Sequence, residues 1–117
     1  MTTQENDLDP SQLPATIRAF VAAHIAREVD AAMRLLVAEP LVVDQDETFA
    51  GAEQVRGFLR GAGTEFTYTT ELVAARRTDA GHWVAVLHLE GDFPGGVADL
   101  DYTFDLAGDL IAAVRIR

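Results

Sequence analysis

Cysteine is absent from this 117-residue chain, and basic residues are few. Without cysteine the protein has no disulfide, no thiol nucleophile and no thiolate metal ligand. Nine basic residues against nineteen acidic ones give a net charge of −10, which repels phosphate groups. This balance argues against partners such as nucleic acids and anionic membrane surfaces.

Long apolar runs are missing as well. No stretch approaches the 18 consecutive apolar residues of a membrane-spanning helix, and the N-terminus lacks the basic start and apolar core of a signal peptide. Hydrophobic residues nevertheless make up 49% of the chain, enough for the core of a globular domain. These features predict a cytoplasmic protein with one domain at residues 11–117, preceded by a disordered arm at residues 1–10.

The first half of this domain has helical periodicity. Apolar residues recur three and four positions apart from Leu13 onwards, which predicts an amphipathic helix with His24 on its apolar face. The segment AAMRLLVAE predicts a second helix at residues 31–39, stopped by a proline, and AEQVRGFLR predicts a third helix after Gly51. Residues 41–45 predict a short strand between them.

In the second half the periodicity is alternating, and four strands separated by turn residues are predicted. For the final hairpin we predict a three-residue loop at residues 107–109, because it places Arg115 on the polar face opposite Asp101. A two-residue loop would bury Arg115 in a regular hairpin. We therefore predict an α+β fold with three N-terminal helices packed on a curved, mostly antiparallel sheet.

Three segments together resemble the nuclear transport factor 2-like superfamily, in particular its SnoaL-like branch. They are the helix pair in FVAAHIAREVDAAMRLLVAEP, the strand–loop–helix element in VVDQDETFAGAEQVRGFLR, and the strands WVAVLHLEGDFPGG and ADLDYTFDLAGDLIAAVRIR. The resemblance covers roughly residues 12–117 and implies a cone-shaped α+β barrel. In that fold the helices cover the concave face of the sheet and leave a pocket for a small apolar molecule.

The resemblance also implies that side chains of the concave face line this pocket. The predicted substrate-binding residues are Phe20, Leu36, Phe58, Phe66, Tyr68, Trp83, Leu87, Tyr102 and Phe104. The alternative is that these side chains simply fill a core, and that the chain is a non-catalytic ligand-binding or dimerisation domain.

Ketosteroid isomerases, enzymes of this superfamily, use an aspartate on the strand after the second helix as their proton-shuttling base. The position that matches it is Asp44, whose pKa an apolar surround would raise. The two oxyanion donors of those enzymes do not carry over, since Phe20 and Leu100 occupy their positions. Steroid isomerisation is therefore not expected, and Tyr68 and Tyr102 are the candidate substitute donors.

His24 is the second predicted catalytic residue. With Asp44 it would form an acid–base pair, as the resemblance to dehydratases and cyclases of the superfamily implies. The alternative role is a histidine at the edge of the core, bonded to a backbone carbonyl. The resulting hypothesis is a pocket protein for a small apolar carbonyl or polyketide-like compound. It would be an isomerase, cyclase or dehydratase if both residues face the cavity.

Neither a metal nor a cofactor is predicted. The segment DQDETF begins like a calcium-binding loop, but Phe49 and Val55 occupy the positions of the glycine and the bidentate glutamate. The sequence contains no glycine-rich dinucleotide motif, no P-loop and no serine nucleophile elbow.

The opposite, convex face of the predicted sheet carries an apolar strip. Val84, Val86 and His88 form it, and Ile111 and Ala113 extend it. Exposed strips of this kind are often buried against a partner. We therefore predict a homodimer through the convex sheet face, which the resemblance also implies, with His88 at or near the interface.

Overall fold

A computed structural model describes residues 7–61, 67–79 and 82–117. In this part of the chain the elements are β1 (Asp7–Leu8), α1 (Ala15–Ile25), α2 (Val29–Met33), β2 (Leu36–Asp44), β3 (Glu47–Ala50), α3 (Ala52–Gly61), β4 (Tyr68–Asp79), β5 (His82–Gly91), β6 (Val97–Ala107) and β7 (Leu110–Ile116). A turn of 3-10 helix at Pro10–Gln12 joins β1 to α1. No helix within these ranges is long and apolar enough to cross a membrane.

The strands form one sheet in the order β1-β4-β5-β6-β7-β2-β3. Strands β2 and β7 are parallel, and the other neighbouring strands are antiparallel. The predicted α+β class and mostly antiparallel sheet are therefore confirmed. The helices cover one face of this sheet, where apolar side chains from both layers form a continuous core that includes Ile17, Phe20, Val55, Phe58, Leu87 and Phe104.

The second helix is shorter than the sequence pattern predicts. It ends at Met33 instead of residue 39, and β2 begins at Leu36. Leu36 pairs with Ile111 of β7, and from Leu41 to Asp44 the strand pairs with β7 on one side and with β3 on the other. These hydrogen bonds hold the segment as a strand. The buried Pro40 is accommodated because the pairing with β7 shifts between Leu36 and Leu41.

The final hairpin also differs from the prediction. Its loop has two residues, Gly108 and Asp109, and the pairing between β6 and β7 shifts by one residue at Ala112. This bulge returns Arg115 to the polar face, where it pairs with Thr103. The prediction of a three-residue loop was wrong because it assumed a regular ladder, in which a two-residue loop would bury the arginine.

The predicted disordered arm overlaps folded structure at its end. Asp7 and Leu8 pair with β4, and Leu8 packs against the core. Asp9 caps the following turn, because its carboxylate accepts a hydrogen bond from the backbone N–H of Ser11 at 2.9 Å. Residues 7–10 are therefore part of the fold, while residues 1–6 lie outside the described part.

The sheet face away from the helices, called here the outer face, is more charged than expected. Arg76 and Asp101 form an ion pair at 3.1 Å, and Arg115 and Asp105 form another at 3.2 Å. Val84 is only 2% exposed, although it does not belong to the core beneath the helices. The charged side chains of neighbouring strands therefore cover part of the predicted apolar strip.

Ile111 does not extend this strip. It is fully buried in the core on the helix side of the sheet, because the bulge at Ala112 reverses the facing of the residues before it. Ala113, after the bulge, is 7% exposed and lies outside the core cluster, as expected for the outer face.

Candidate functional site

A cavity of about 290 Å³ lies between the C-terminal end of α1 and the strands β4, β5 and β6. This volume lies just below the usual range for ligand sites, about 300–1,000 Å³. Its described wall combines hydroxyl groups, an imidazole and a guanidinium with two aliphatic side chains. The residues are His24, Ile25, Arg27, Tyr68, Thr69, Thr70, Leu89 and Tyr102.

His24 and Tyr102 form the polar centre of this wall. Nε2 of His24 lies 3.1 Å from the Tyr102 hydroxyl oxygen, within hydrogen-bonding distance. The imidazole stacks between the rings of Phe20 and Phe58, with centroid distances of 6.0 and 6.4 Å. Because both rings belong to the core, they fix the orientation of the imidazole. The hydrogen bond is therefore formed before any ligand arrives.

The surroundings of this pair shift both of its pKa values. Burial, and secondly the positive charge of Arg27, lower the pKa of His24 to about 4. Burial, and then the negative charge of Asp44 and the nearby Tyr68, raise the pKa of Tyr102. At neutral pH the histidine is neutral and the tyrosine is protonated. In the tautomer that carries a proton on Nε2, His24 donates to the tyrosine oxygen, and the Tyr102 O–H can donate into the cavity.

Arg27 lies at the rim of the cavity, immediately after α1, with a φ of 62°. The N–H of Glu28 donates to the carbonyl of Ala23 at 2.8 Å, and the N–H of Arg27 donates to that of His24 at 3.2 Å. This is a Schellman motif, in which glycine is the usual residue at the left-handed position. The Arg27 guanidinium donates to the Tyr68 hydroxyl at 3.2 Å and lies over its ring.

Asp44 lies at the end of β2, on the same sheet face as Tyr102. Asp44 pairs with Ile116, which in turn pairs with Tyr102, so the aspartate and the tyrosine are two strands apart in one row. Partial burial, and secondly the negative charge of Glu47, raise the pKa of Asp44. Its side chain borders a surface depression formed with residues 45–47, separate from the described cavity wall.

Solved structures share this architecture. A candidate polyketide cyclase from Sinorhizobium meliloti superposes with a TM-score of 0.84 at 20% identity, over 94% of this chain and 100% of that one. An NTF2-like protein of unknown function from Cytophaga hutchinsonii gives a TM-score of 0.69 at 10% identity, over 87% and 85%. This chain has the nuclear transport factor 2-like fold. The superfamily resemblance inferred from the sequence is thereby confirmed at the level of the fold.

A third similar structure is that of a hypothetical protein from Catenulispora acidiphila with a ketosteroid isomerase-like fold, in complex with trimethylamine. It superposes with a TM-score of 0.74 at 18% identity, covering 89% of this chain and 85% of that one. No family model matches the sequence, and a search of curated proteins gives no significant match.

The NTF2-like fold distributes the predicted lining residues unevenly. Tyr68 and Tyr102 line the cavity, and Phe66 lies outside the described residues. The remaining predicted residues are in the core or pack against it, because the helices approach the sheet closely. The ring centroids of Phe20 in α1 and Phe104 in β6, for example, are 5.7 Å apart. This group comprises Phe20, Leu36, Phe58, Leu87, Phe104 and Trp83.

Sequence reasoning missed much of the actual wall. Three of its residues, Thr69, Thr70 and Arg27, are not predicted as site residues from the sequence. A signal for Arg27 exists in the segment AHIAREVD, where a helix ends without a glycine, so a charged residue takes the left-handed position.

Proposed function

We propose that this chain is a SnoaL-like small-molecule pocket protein, and that its reaction is proton transfer next to a carbonyl group of a small polyketide-like compound. The observation that supports this proposal is the Tyr102 hydroxyl, held 3.1 Å from Nε2 of His24 on the cavity wall. A ligand carbonyl would accept a hydrogen bond from this hydroxyl. The bond strengthens as negative charge develops on the carbonyl oxygen, which stabilises an enolate.

Asp44 is the proposed base. A C–H bond next to the carbonyl breaks, its proton moves to the Asp44 carboxylate, and the electron pair moves onto the oxygen that Tyr102 contacts. Return of the proton to a different carbon gives isomerisation, and attack of the enolate carbon on a second carbonyl of the ligand gives cyclisation. The shared row with Tyr102 and the raised pKa of Asp44 support this role.

A binding domain without catalysis is the alternative. The observation in its favour is that Asp44 borders a depression of its own and not the described cavity wall. A carboxylate in that place has to approach the ligand past Ile116, whereas binding requires only the groups that already line the cavity. The two functions therefore share a ligand site and differ in whether a proton moves.

Deuterium exchange into 2-tetralone, a small bicyclic ketone with acidic C–H bonds, separates them. In deuterated buffer, NMR spectra follow the loss of the C1–H signal, and saturation transfer measures binding. We expect binding by the wild type and faster exchange with it than with buffer alone or with the Tyr102→Phe variant. Binding without faster exchange would leave the non-catalytic function, and absence of binding would overturn the pocket proposal.

A further inference from the structure

Arg27 has a backbone conformation that helix termination alone does not explain. Its φ of 62° is in the left-handed region, which glycine adopts without steric penalty and which other residues rarely adopt. The two Schellman hydrogen bonds need only the backbone, so a glycine here would end α1 at lower conformational cost. A strained residue retained at the rim of a cavity indicates a role for its side chain.

The surroundings of this side chain define what it can recognise. Among the described residues of the wall, Arg27 is the side chain with a formal charge at neutral pH. Its charge acts on the interior, because it contributes to the lowered pKa of His24. The hydrogen bond to Tyr68, together with the cation–π contact, fixes the plane of the guanidinium.

We propose that the cavity binds a carbonyl compound that also carries a carboxylate, and that the Arg27 guanidinium binds this carboxylate at the rim. The carbonyl half of this inference rests on the proposed function, with Tyr102 as its donor, and Ile25 and Leu89 contact the apolar part between the two groups. A guanidinium donates two parallel hydrogen bonds to a carboxylate. One guanidinium in the described part of the wall, within a protein of net charge −10, suits a monoanion better than a phosphate dianion.

Two probes of nearly equal shape test the charge requirement. Both 4-acetylbenzoate and 4-acetylbenzamide carry a ketone, and only the first is an anion. NMR titration of the wild type should show about tenfold tighter binding of 4-acetylbenzoate. In the Arg27→Gly variant this preference should disappear while 4-acetylbenzamide still binds, and Arg27→Lys should retain part of it because charge remains without the planar fork.

Thermal unfolding separates this binding role from a structural one. Arg27→Gly removes both the guanidinium and the backbone strain, whereas Arg27→Ala removes the guanidinium and keeps the strain. We expect the glycine variant to melt at or above the wild-type temperature and the alanine variant to melt below it. If both variants were destabilised to the same extent, Arg27 would be a structural support for Tyr68, and the inference would be overturned.

The ionisation of His24 provides an independent readout. A carboxylate at Arg27 offsets the positive charge that helps to lower the pKa of His24, so bound 4-acetylbenzoate should raise that pKa and 4-acetylbenzamide should not. Histidine ring signals in NMR spectra follow this titration.

Equal affinity for both probes, or a preference that survives in Arg27→Gly, would overturn the assignment of Arg27. The exchange of neutral 2-tetralone does not involve a carboxylate, and it is measured with the wild type. Failure of the proposed reaction and failure of this inference are therefore distinguishable: the first appears as absent exchange, the second as absent charge preference.

Discussion

The Tyr102 hydroxyl and Nε2 of His24 lie 3.1 Å apart, although 78 positions separate the two residues in the sequence. Strand β6 supplies one and helix α1 the other, and the meeting of the two layers creates the pair. Burial keeps the imidazole neutral and the phenol protonated at neutral pH. With the imidazole proton on Nε2, the pair therefore presents the Tyr102 O–H to the small cavity as a hydrogen-bond donor.

Replacement of Tyr102 by phenylalanine should slow deuterium exchange into 2-tetralone by roughly 10²–10³-fold at saturating ketone, the usual loss for one oxyanion donor. Initial exchange rates measured by NMR give the result. Tyr68→Phe is the matched control, because Tyr68 lines the same cavity but bonds to Arg27 instead of His24. A larger loss in the control than in Tyr102→Phe would show that the wrong hydroxyl has been assigned.

Asp44→Asn should abolish the exchange while the ketone still binds, because an amide cannot accept the proton. Asp46→Asn, which removes a charge from the adjacent turn, should leave the rate unchanged. Full activity of Asp44→Asn would remove this residue from the mechanism.

The pH dependence of the exchange should respond to Glu47. A carboxylate base is active when deprotonated, so the rate falls as the pH drops through the pKa of Asp44, which lies above its ordinary value of 3.8. The negative charge of Glu47 contributes to this elevation. Glu47→Gln should therefore move the acid limb of the rate profile to lower pH, and an unmoved limb would contradict Asp44 as the base.

Much of the fold could be predicted because its signals are local. Helices α1 and α3 follow from the spacing of apolar residues, and the strands of the second half follow from alternation. The start of β2 could not be predicted, since the apolar segment LLVAEPLVV suits a helix as well as a buried strand. Its pairing with β7, from the far end of the chain, decides the outcome.

The β-bulges are the second feature that could not be predicted from the sequence. The ladder shifts by one residue at Val73 in β4 and at Ala112 in β7, and each shift changes which residues face the helices. Both shifts arise from pairing between strands, which alternation along one strand does not reveal. The same contrast holds at the site. The helical spacing of apolar residues predicts that His24 lies on the apolar face of α1, whereas no periodic pattern in the sequence predicts the left-handed conformation that brings Arg27 to the rim.

Protein stability should decrease as the pH falls from about 6.5 to about 4 because of His24. The unfolded chain binds a proton at its ordinary pKa of 6.5, while the folded chain resists protonation down to about 4. As the pH is lowered across this window, the free energy of unfolding therefore decreases, and this residue accounts for roughly 3 kcal/mol of the decrease. Denaturant unfolding between pH 7 and pH 4 measures it, and His24→Gln should flatten the dependence.

His88 should have the opposite effect on the pH dependence of stability. Its ring donates hydrogen bonds to Asp99 and Glu90 at 2.5 and 2.8 Å, and these bonds raise its pKa. The stabilisation is present below the unfolded pKa and is lost as the pH rises through the folded one. His88→Gln should therefore make the loss of stability toward low pH steeper. A shallower loss in this variant would contradict the assignment.

The oligomeric state tests whether the outer face forms an interface between two copies of the chain. We propose a homodimer in which Val86, half-buried beside the Arg76–Asp101 ion pair, lies in the interface. Sedimentation at micromolar concentration should give twice the 12.7 kDa mass of one chain, and Val86→Glu should give the monomer. Leu110→Glu, at the start of β7, should remain dimeric. A wild-type monomer at neutral pH would overturn this interface.

The central claim is that the Tyr102 hydroxyl, supported by His24, donates a hydrogen bond to the carbonyl oxygen of a ligand in the cavity. The infrared carbonyl stretch of ¹³C-labelled 2-tetralone tests this most directly. We predict that binding to the wild type shifts the stretch to lower frequency, that His24→Gln reduces the shift and that Tyr102→Phe removes most of it. The same frequency for ketone bound to the wild type and to Tyr102→Phe would contradict the claim.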